Sequence, residues 1–158
     1  MSVQGADGGD HLYEMVAGVL DKVGEMTAFL NPVEASYARF GGHKAPQYIS
    51  WSRENRSQLV RIPAAVGEYR RAELRSPDPA ANPYLAFTLM IRAGLRGIEE
   101  GLELPPAADL NLYQADARTL ARFGRLPGNL QSARSTAAGS EFIRKALPGA
   151  ILAAYCGR

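Results

Sequence analysis

The apolar residues that follow Pro83 recur with the period of an α-helix, and this pattern constrains the fold more than any other feature. Apolar side chains fall every three or four positions and widen the stripe on one flank: Tyr84, Leu85, Phe87, Leu89, Ile91, Leu95 and Ile98. A stripe of this kind predicts an amphipathic helix that packs one face against a core. Asn82 or the alanines before it precede the helix, Pro83 suits its first turn, and the helix should end near Gly101.

A second amphipathic helix is predicted near the start of the chain. Residues 1–9 hold three glycines and no apolar periodicity, which indicates a flexible start. Asp10 would cap a helix that runs to about Phe29. The apolar residues of this segment fall at helical spacing: Leu12, Met15, Val16, Val19, Leu20 and Val23. Shorter helices are predicted from about Asp116 to Phe123 and from Ser140 to Leu147.

The segment between the two long helices has strand character rather than helical periodicity. It opens with a loop from Asn31 to Pro46 that is rich in glycine and proline. Three short runs then combine β-branched and aromatic residues with turn-prone separators: Gln47–Trp51, Gln58–Pro63 and Tyr69–Ser76. The sequence therefore predicts an α+β fold, in which helices flank a short antiparallel sheet.

Composition narrows the classes of function. The 158 residues suit one domain, and a net charge of +2 is too small for a general nucleic-acid binder. A single cysteine, Cys156, and two histidines exclude a Cys/His metal cluster and an intramolecular disulfide, so a reducing, cytoplasmic location is expected. The first ten residues do not read as a signal peptide, and no later stretch approaches the roughly 18 apolar residues of a membrane span.

Positive charge is concentrated in the predicted sheet and the loop before it. Eight Lys/Arg residues and three Glu lie between Arg39 and Arg75, an excess of five positive charges in a chain whose net charge is +2. The basic residues of this stretch are Arg39, Lys44, Arg53, Arg56, Arg61, Arg70, Arg71 and Arg75. This concentration favours a local anion site over a basic face.

The pentapeptide from Arg71 to Arg75 alternates charged and apolar residues. Side chains alternate across a strand, so Arg71, Glu73 and Arg75 would share one face while Ala72 and Leu74 share the other. A carboxylate is a good oxygen ligand for Mg²⁺ or Mn²⁺, and guanidinium groups grip phosphate or carboxylate oxygens in pairs. The pattern is consistent with phosphoryl chemistry.

A plainer interpretation of the same charges remains open. Alternating Arg and Glu on a strand face often form a solvated surface with cross-strand ion pairs, and Arg56 and Arg61 could be such a surface pair. Lys44, beside two glycines, could lie on a mobile loop over a substrate or in an ordinary exposed turn. By default Tyr113 is an amphipathic packing residue. Residue types and spacing alone favour the plainer interpretation.

The motifs between Asn31 and Phe87, taken together in their order along the chain, identify a family more specifically than any single motif does. The strings NP-x4-Y-x-RFGG-x2-AP-x-YISWSRENRSQLVRIPAA and YRRAELRSPDPAANPYLAF resemble the catalytic domain of glutamine synthetases. The resemblance is strongest from Asn31 to Gly101 and continues more weakly to about Leu147. It implies that residues 10–158 form the C-terminal portion of that domain, which is part of an incomplete barrel. In that family ATP phosphorylates glutamate, ammonia displaces the phosphate, and two divalent metals bridge the reactants.

The resemblance assigns roles to individual residues. Arg39 corresponds to the arginine that holds substrate glutamate, and Arg75 to a second arginine at the glutamate and the transferred phosphoryl group. Arg56 and Arg61 correspond to a pair that contacts the phosphates of ATP. Glu73 corresponds to a metal-ligand glutamate for Mg²⁺ or Mn²⁺. Several cations are needed to offset the charge of a triphosphate and a glutamate.

Other positions are weaker matches or depart from the family. Arg71 also corresponds to a residue on the nucleotide side, and Tyr113 matches a tyrosine that some bacterial members adenylylate. Lys44 stands where the family's flap carries the glutamate that helps to deprotonate ammonium. Glu68 stands where some relatives have a lysine near the nucleotide, and His11 is not placed to replace the family's metal-ligand histidine.

The resemblance also implies what a complete site would need. The family's N-terminal β-grasp domain, its other metal-ligand glutamates and its metal-ligand histidine precede the matched region. We therefore expect an incomplete half site for glutamate, ammonia and ATP, and association with other synthetase-type chains or with further copies. Two alternatives stay open: a non-catalytic interaction or regulatory module of the same fold, and a γ-glutamyl ligase for another amine.

Overall fold

The computed structural model describes residues 9–42, 44–65 and 69–157. Its helices are α1 Leu12–Leu30, α2 Glu34–Tyr37, α3 Pro83–Glu99, α4 Ala117–Leu120, α5 Leu130–Gly139, α6 Glu141–Ala146 and α7 Gly149–Cys156. Its strands are β1 Tyr48–Ile49, β2 Trp51–Ser52, β3 Val60–Arg61, β4 Glu73–Leu74 and β5 Gly124–Arg125. The predicted flexible start lies outside the described residues apart from Gly9, as does Glu68.

Helices α1 and α3 pack together closely because glycines line their contact. A Cβ on Gly18 would lie 2.8 Å from the backbone N and Cα of Gly97, closer than a real side chain comes. The two backbones can approach only because neither position has a side chain. The buried face of α3 accordingly consists mostly of small residues: Ala86, Leu89, Ala93, Gly94 and Gly97.

The apolar stripe on α3 does not face the core, so that part of the sequence prediction is wrong. Tyr84 is 82% exposed, Phe87 57%, Ile91 43% and Leu95 49%. The helix turns its small-residue face towards α1, and this leaves the large side chains on another face. Of the two flanking leucines, Leu89 is fully buried.

The predicted ends of the long helices are confirmed or displaced by one or two residues. Asn82 caps α3, and its Oδ1 accepts hydrogen bonds from the backbone N–H groups of Tyr84 and Leu85 at 3.0 and 3.3 Å. Gly101 follows the helix with φ +60°. Asp10 Oδ1 accepts a hydrogen bond from the N–H of Leu12 at 3.2 Å, although His11 occupies the cap position of α1.

The shorter helices differ more from the prediction. Asp116 caps α4, which is only one turn long, and Ser140 caps α6 as expected. Helices α5 and α7 were not predicted. Helix α5 is rich in small and polar residues, and α7 is apolar throughout its length, so neither shows a clear helical stripe.

The strands form two small sheets rather than one. Strands β1 and β5 pair antiparallel, and the other sheet has the order β2-β3-β4. The α+β class is confirmed, but the all-antiparallel arrangement is wrong because β2 and β3 run parallel. Side-chain hydrogen bonds shape the short connection between β2 and β3. The N–H of Asn55 donates to Ser52 Oγ, and the N–H of Ser57 donates to Asn55 Oδ1. The composition of the segment between β2 and β3 predicts turns, but it does not show how many times the chain reverses direction there.

The core is built around α1, whose Val23, Met26, Phe29 and Leu30 are fully buried. The irregular segment after α3 is fastened to the sheet, because Trp51 Nε1 donates a hydrogen bond to the carbonyl of Pro105 at 2.7 Å. In the part of the chain that the structure describes, no helix combines the length and the hydropathy that a bilayer crossing requires.

Candidate functional site

Glu73 lies between two arginines, and the strand register places it there. Strands β3 and β4 pair antiparallel with Arg61 opposite Glu73. Arg61 Nη1 donates to Glu73 Oε2 at 3.1 Å, and Arg71 Nε donates to Glu73 Oε1 at 3.3 Å. The predicted pair around Glu73 was Arg71 and Arg75, so the cross-strand Arg61 takes the place of Arg75. The site therefore spans two strands rather than one.

Arg75 is a cation that its neighbours do not neutralise. Its backbone N–H donates to the carbonyl of Leu59 at 3.0 Å, which ties it to the start of β3. Its Nη1 is buried and has no hydrogen-bond partner within the described residues. A buried guanidinium nitrogen without a partner is costly, so this group is suited to receive an anion.

Arg39 is held from two sides by polar groups. Its Nε lies 2.8 Å from Asp78 Oδ2, and its Nη2 donates to Asn31 Oδ1 at 3.2 Å and to the carbonyl of Ser76 at 3.1 Å. These contacts fix the guanidinium and offset its charge with a carboxylate. No hydrogen bond joins its Nη1 to another described residue.

Buried polar groups surround Arg39. Asn31, Ser36 and Ser76 are each fully buried. Asn31 Nδ2, Ser36 Oγ and Ser76 Oγ have no hydrogen-bond partner within the described residues. Buried polar groups are normally satisfied by protein or ordered water. The end of α1 and the chain before α3 thus enclose a small polar region beside Arg39, the residue that the resemblance assigns to glutamate binding.

Two further candidates, Lys44 and Arg56, lie at exposed turns. Lys44 is exposed in a turn that is closed by a hydrogen bond from the N–H of Gly41 to the carbonyl of Ala45 at 3.0 Å. Arg56 is exposed in the turn before β3 and makes neither a hydrogen bond nor an ion pair with any described residue. The structure therefore brings Arg61, Arg71 and Glu73 into contact, whereas Arg56 and Lys44 stand apart.

Sequence reasoning missed Asp78 and Asn31 as partners of Arg39. Both lie in segments where glycine and proline predicted loops. They are 39 and 8 positions from Arg39, and no helical or strand period links such distances. A buried arginine usually has a carboxylate partner. The signal in the sequence that could have identified this partner was Asp78, the acidic residue of the SPDP segment.

Comparison with known proteins places this geometry in a family. The family model described as "Glutamine synthetase, catalytic domain" matches residues 3–157. The chain belongs to the glutamine synthetase family. The match covers both sheets and every element that contributes a candidate residue to the site.

Several glutamine synthetases are similar to this chain over about the same region. One from Methanosarcina mazei is 43% identical over 143 residues, which is 89% of this chain and 32% of that protein. One from Staphylococcus epidermidis is 42% identical over 141 residues, 87% of this chain and 32% of that protein. The chain thus spans about one third of the length of these glutamine synthetases.

Two solved structures share the fold of this chain. A structure described as a GmaS/ADP complex superposes with a TM-score of 0.81, 31% identity, and coverage of 99% of this chain and 36% of that chain. A structure described as apo GmaS without ligand gives a TM-score of 0.77 over 99% of this chain. The short strands and helices described above are therefore arranged as in about one third of the GmaS chain.

The described residues do not form a complete divalent-metal site of the glutamine synthetase type. No group of three or more His, Cys, Asp or Glu side chains in the described ranges is placed to hold a metal ion. Glu73 supplies one carboxylate, and both its oxygens already contact arginines. A single carboxylate in these surroundings does not fit a resident Mg²⁺ or Mn²⁺ without further ligands.

Tyr113, the candidate modification site, lies in a small cleft. The cleft has a volume of about 160 Å³ and is also lined by Gly41, Tyr48 and Ser57. The hydroxyl oxygen of Tyr113 is buried. Burial raises the pKa of this phenol, and the nearby charge of Arg75 opposes the rise. Adenylylation stays a prediction, and it would require the hydroxyl to become accessible.

Proposed function

We propose that this chain forms the glutamate- and phosphate-binding half of an ATP-dependent ligase of the glutamine synthetase type. One observation carries the proposal. The β3–β4 register joins Arg61, Glu73 and Arg71, and it places Arg75, whose buried Nη1 has no partner among the described residues, two positions further along the same segment. The guanidinium nitrogens of a plain ionic surface are usually exposed to solvent, whereas Nη1 of Arg75 is buried. This favours an anion site over the surface interpretation.

The arginines would share the charge of the two anionic substrates. Arg39 would bind a carboxylate of glutamate through Nη1, because Asp78 and Asn31 occupy its other nitrogens. Arg56 and Arg61 would contact the phosphates of ATP, with Arg71 on the same side. Planar guanidinium groups hold a transferring phosphoryl group in line and offset the charge that develops on it.

The reaction would proceed in two displacements. The side-chain carboxylate of glutamate attacks the γ-phosphorus of ATP, which forms γ-glutamyl phosphate and releases ADP. Ammonia then attacks the acyl carbon, and inorganic phosphate leaves with the electrons of the broken bond. Arg75 would stabilise the phosphoryl oxygens in both steps. Lys44 carries a positive charge, so the group that takes a proton from ammonium would come from outside this chain.

The rest of the site would also come from other residues. Glu73 would donate one carboxylate to a Mg²⁺ or Mn²⁺ site whose other ligands lie in the remaining length of a synthetase. We expect the chain to work together with other synthetase-type chains or further copies, in the cytoplasm, where Cys156 would remain a thiol. The substrates would be glutamate, ammonia and ATP.

Two measurements on the 158-residue chain test this function. We expect weak ATP binding by calorimetry that is lost in Arg75→Ala and kept in Arg92→Ala, because Arg92 is exposed on α3 and lines a different cleft, beside α6. We also expect no γ-glutamyl transfer with Mn²⁺ and ATP. Robust turnover by the chain alone would refute the half-site proposal, and equal ATP binding by both variants would refute the role of Arg75.

A non-catalytic interaction or regulatory module is the second candidate. The observation that favours it is the lysine at position 44, in the turn that corresponds to the family's flap, where a glutamate is expected. A lysine there removes a carboxylate from the chemistry and leaves the fold intact. Pull-down with a full-length glutamine synthetase tests this role, and a lack of association would count against it.

A further inference from the structure

The carboxylate of Asp78 is held at both of its oxygens. Its Oδ1 accepts a hydrogen bond from the N–H of Ala80 at 2.8 Å, and its Oδ2 lies 2.8 Å from Arg39 Nε. The backbone of this residue is fastened as well. The N–H of Asp78 donates to the carbonyl of Leu30 at 2.9 Å, and its carbonyl accepts from the N–H of Ala81 at 2.9 Å. Asp78 is therefore a fixed point beside Arg39.

The guanidinium of Arg39 is engaged at Nε and at Nη2. At Nε the contact with Asp78 is an ion pair rather than an aligned hydrogen bond. Nη2 donates twice, to Asn31 Oδ1 and to the carbonyl of Ser76, which uses both of its N–H groups. The side chain is nevertheless 35% exposed, so part of it is open to solvent. A carboxylate that approaches from solvent would meet Arg39 at Nη1.

Asp78 and Glu73 contact arginines in different ways. Glu73 places one oxygen on Arg61 Nη1 and the other on Arg71 Nε, so it occupies groups that the proposed function gives to phosphate. The contact of Asp78 with Arg39 is at Nε, not at the nitrogen that would meet a ligand. A guanidinium is planar and rigid, so a carboxylate at one nitrogen sets the direction of the others. Glu73 masks cations, whereas Asp78 is placed to orient one.

We infer that Asp78 is a positioning residue, which holds the guanidinium of Arg39 so that Nη1 is presented to a substrate carboxylate. The inference rests on the proposed function, in which Arg39 binds glutamate. Immobilising a long, free side chain on binding weakens affinity by about twofold to tenfold, and a side chain that is already fixed avoids this cost. Asp78 thus raises the affinity for glutamate without touching the substrate.

Two other roles for Asp78 lead to different expectations. If it only offsets the charge of Arg39, its neutralisation strengthens the binding of an anion there. If it only stabilises the fold, its replacement weakens the binding of glutamate and of ATP alike. A positioning role affects glutamate and not ATP, and it depends on where the carboxylate lies as well as on its charge.

Replacement of Asp78 by Glu tests the inference, because it keeps the charge and moves the carboxylate by one C–C bond, about 1.5 Å. The affinities of the 158-residue chain for glutamate and for ATP are measured separately by NMR titration. We expect Asp78→Glu to weaken glutamate binding by about twofold to tenfold and to leave ATP binding unchanged. Glu100→Asp is the matched control, because it alters the length of a carboxylate that lies 2.7 Å from Arg96 Nη2 at the end of α3. It should change neither affinity.

Hydrogen exchange at Arg39 Nε provides a second measurement, which needs no ligand. This nitrogen is buried against Asp78, so its N–H should exchange slowly with water in the wild-type chain. We expect exchange to be several-fold faster in Asp78→Asn, followed by NMR on the isotope-labelled chain. Asparagine has nearly the size of aspartate, so this variant changes the charge and leaves the packing volume unchanged. Circular dichroism identifies conditions in which each variant is folded.

The outcomes separate the inference from the proposed function. Equal glutamate affinity in the wild type and in Asp78→Glu would overturn the positioning role and leave the proposed function standing. An equal loss for glutamate and ATP, or tighter glutamate binding by Asp78→Asn, would overturn it in favour of a structural role or of charge offset. If Asp78→Glu does not fold, glutamate affinity and Nε exchange in Asp78→Asn decide. Absence of glutamate binding by the wild-type chain would refute the proposed glutamate site, and unchanged exchange in Asp78→Asn would independently refute the fixing of Arg39.

Discussion

Asp78 Oδ2 lies 2.8 Å from Arg39 Nε, and this pair joins the end of α2 to the chain that leads into α3. Only 13% of the Asp78 side chain is exposed. The pair therefore contributes to the fold and also limits which nitrogens of Arg39 can meet a substrate. Structure and proposed chemistry depend on the same contact.

Replacement of Asp78 by Asn should destabilise the chain. The carboxylate is largely buried, and a hydrogen bond to a charged group contributes about 1.5–3 kcal/mol to stability, so we expect a loss of about that size in the free energy of unfolding. Urea denaturation measures it. Glu141→Gln is the control, because Glu141 pairs with Lys145 on an exposed helix surface and its loss should change little. Equal effects of the two variants would contradict the prediction.

Replacement of Glu73 by Gln should strengthen phosphate binding. The change removes the carboxylate that engages both Arg61 and Arg71, so two guanidinium groups become available to an anion. We expect at least a several-fold tighter affinity of the isolated chain for ATP, measured by calorimetry at low salt. Unchanged ATP affinity would instead support a plain ionic surface. Glu141→Gln, far from the strands, again serves as the control and should leave the affinity unchanged.

Alanine at Gly18 should separate α1 from α3. Its Cβ would lie 2.8 Å from the backbone of Gly97, so the helices must move apart, at a cost of about 1–3 kcal/mol or more. Gly24 lies in the same helix, and a Cβ there would meet nothing within 4 Å. Gly24→Ala should therefore stabilise the chain by about 0.5–1 kcal/mol, because it favours the helix without a clash. Thermal melts of both variants provide the comparison, and a similar sign for the two would contradict the packing described.

Stability should fall above about pH 10, near the ordinary tyrosine pKa. Burial raises the pKa of the Tyr37 phenol, and the negative charge of Glu34 adds to the rise while Arg134 opposes it. The folded chain keeps its proton where the unfolded chain has lost it, so stability that is fully present below about pH 10 declines as pH rises towards the folded pKa. Urea midpoints between pH 8 and 11 measure this decline. Tyr37→Phe should flatten it, and an unchanged slope in that variant would count against the assignment.

Local signals explain the parts of the fold that the sequence predicted. Asn82 and Pro83 define the start of α3 because capping depends on neighbouring residues. The burial of α3 was predicted wrongly because it depends on the contact between Gly18 and Gly97, which lie in different helices. Two apolar faces on one helix cannot be ranked by periodicity alone.

In the candidate site, too, features set by neighbouring residues were predicted and features set by distant contacts were not. The alternation from Arg71 to Arg75 placed Glu73 among arginines, as strand geometry requires. Its actual cross-strand partner, Arg61, is set by the register of β3 against β4, and the partner of Arg39 is set by the path of a loop. Such pairings join distant positions, and spacing along one strand carries no information about them. Arg75 was assigned by resemblance, and its buried nitrogen is a feature that only coordinates reveal.

The exposed stripe on α3 has a consequence for the amount of this chain in a cell. While this stripe is uncovered, the chain presents a row of aromatic and aliphatic side chains, which are the features that chaperones and proteases recognise. We expect such exposure to shorten the lifetime of the chain in a cell.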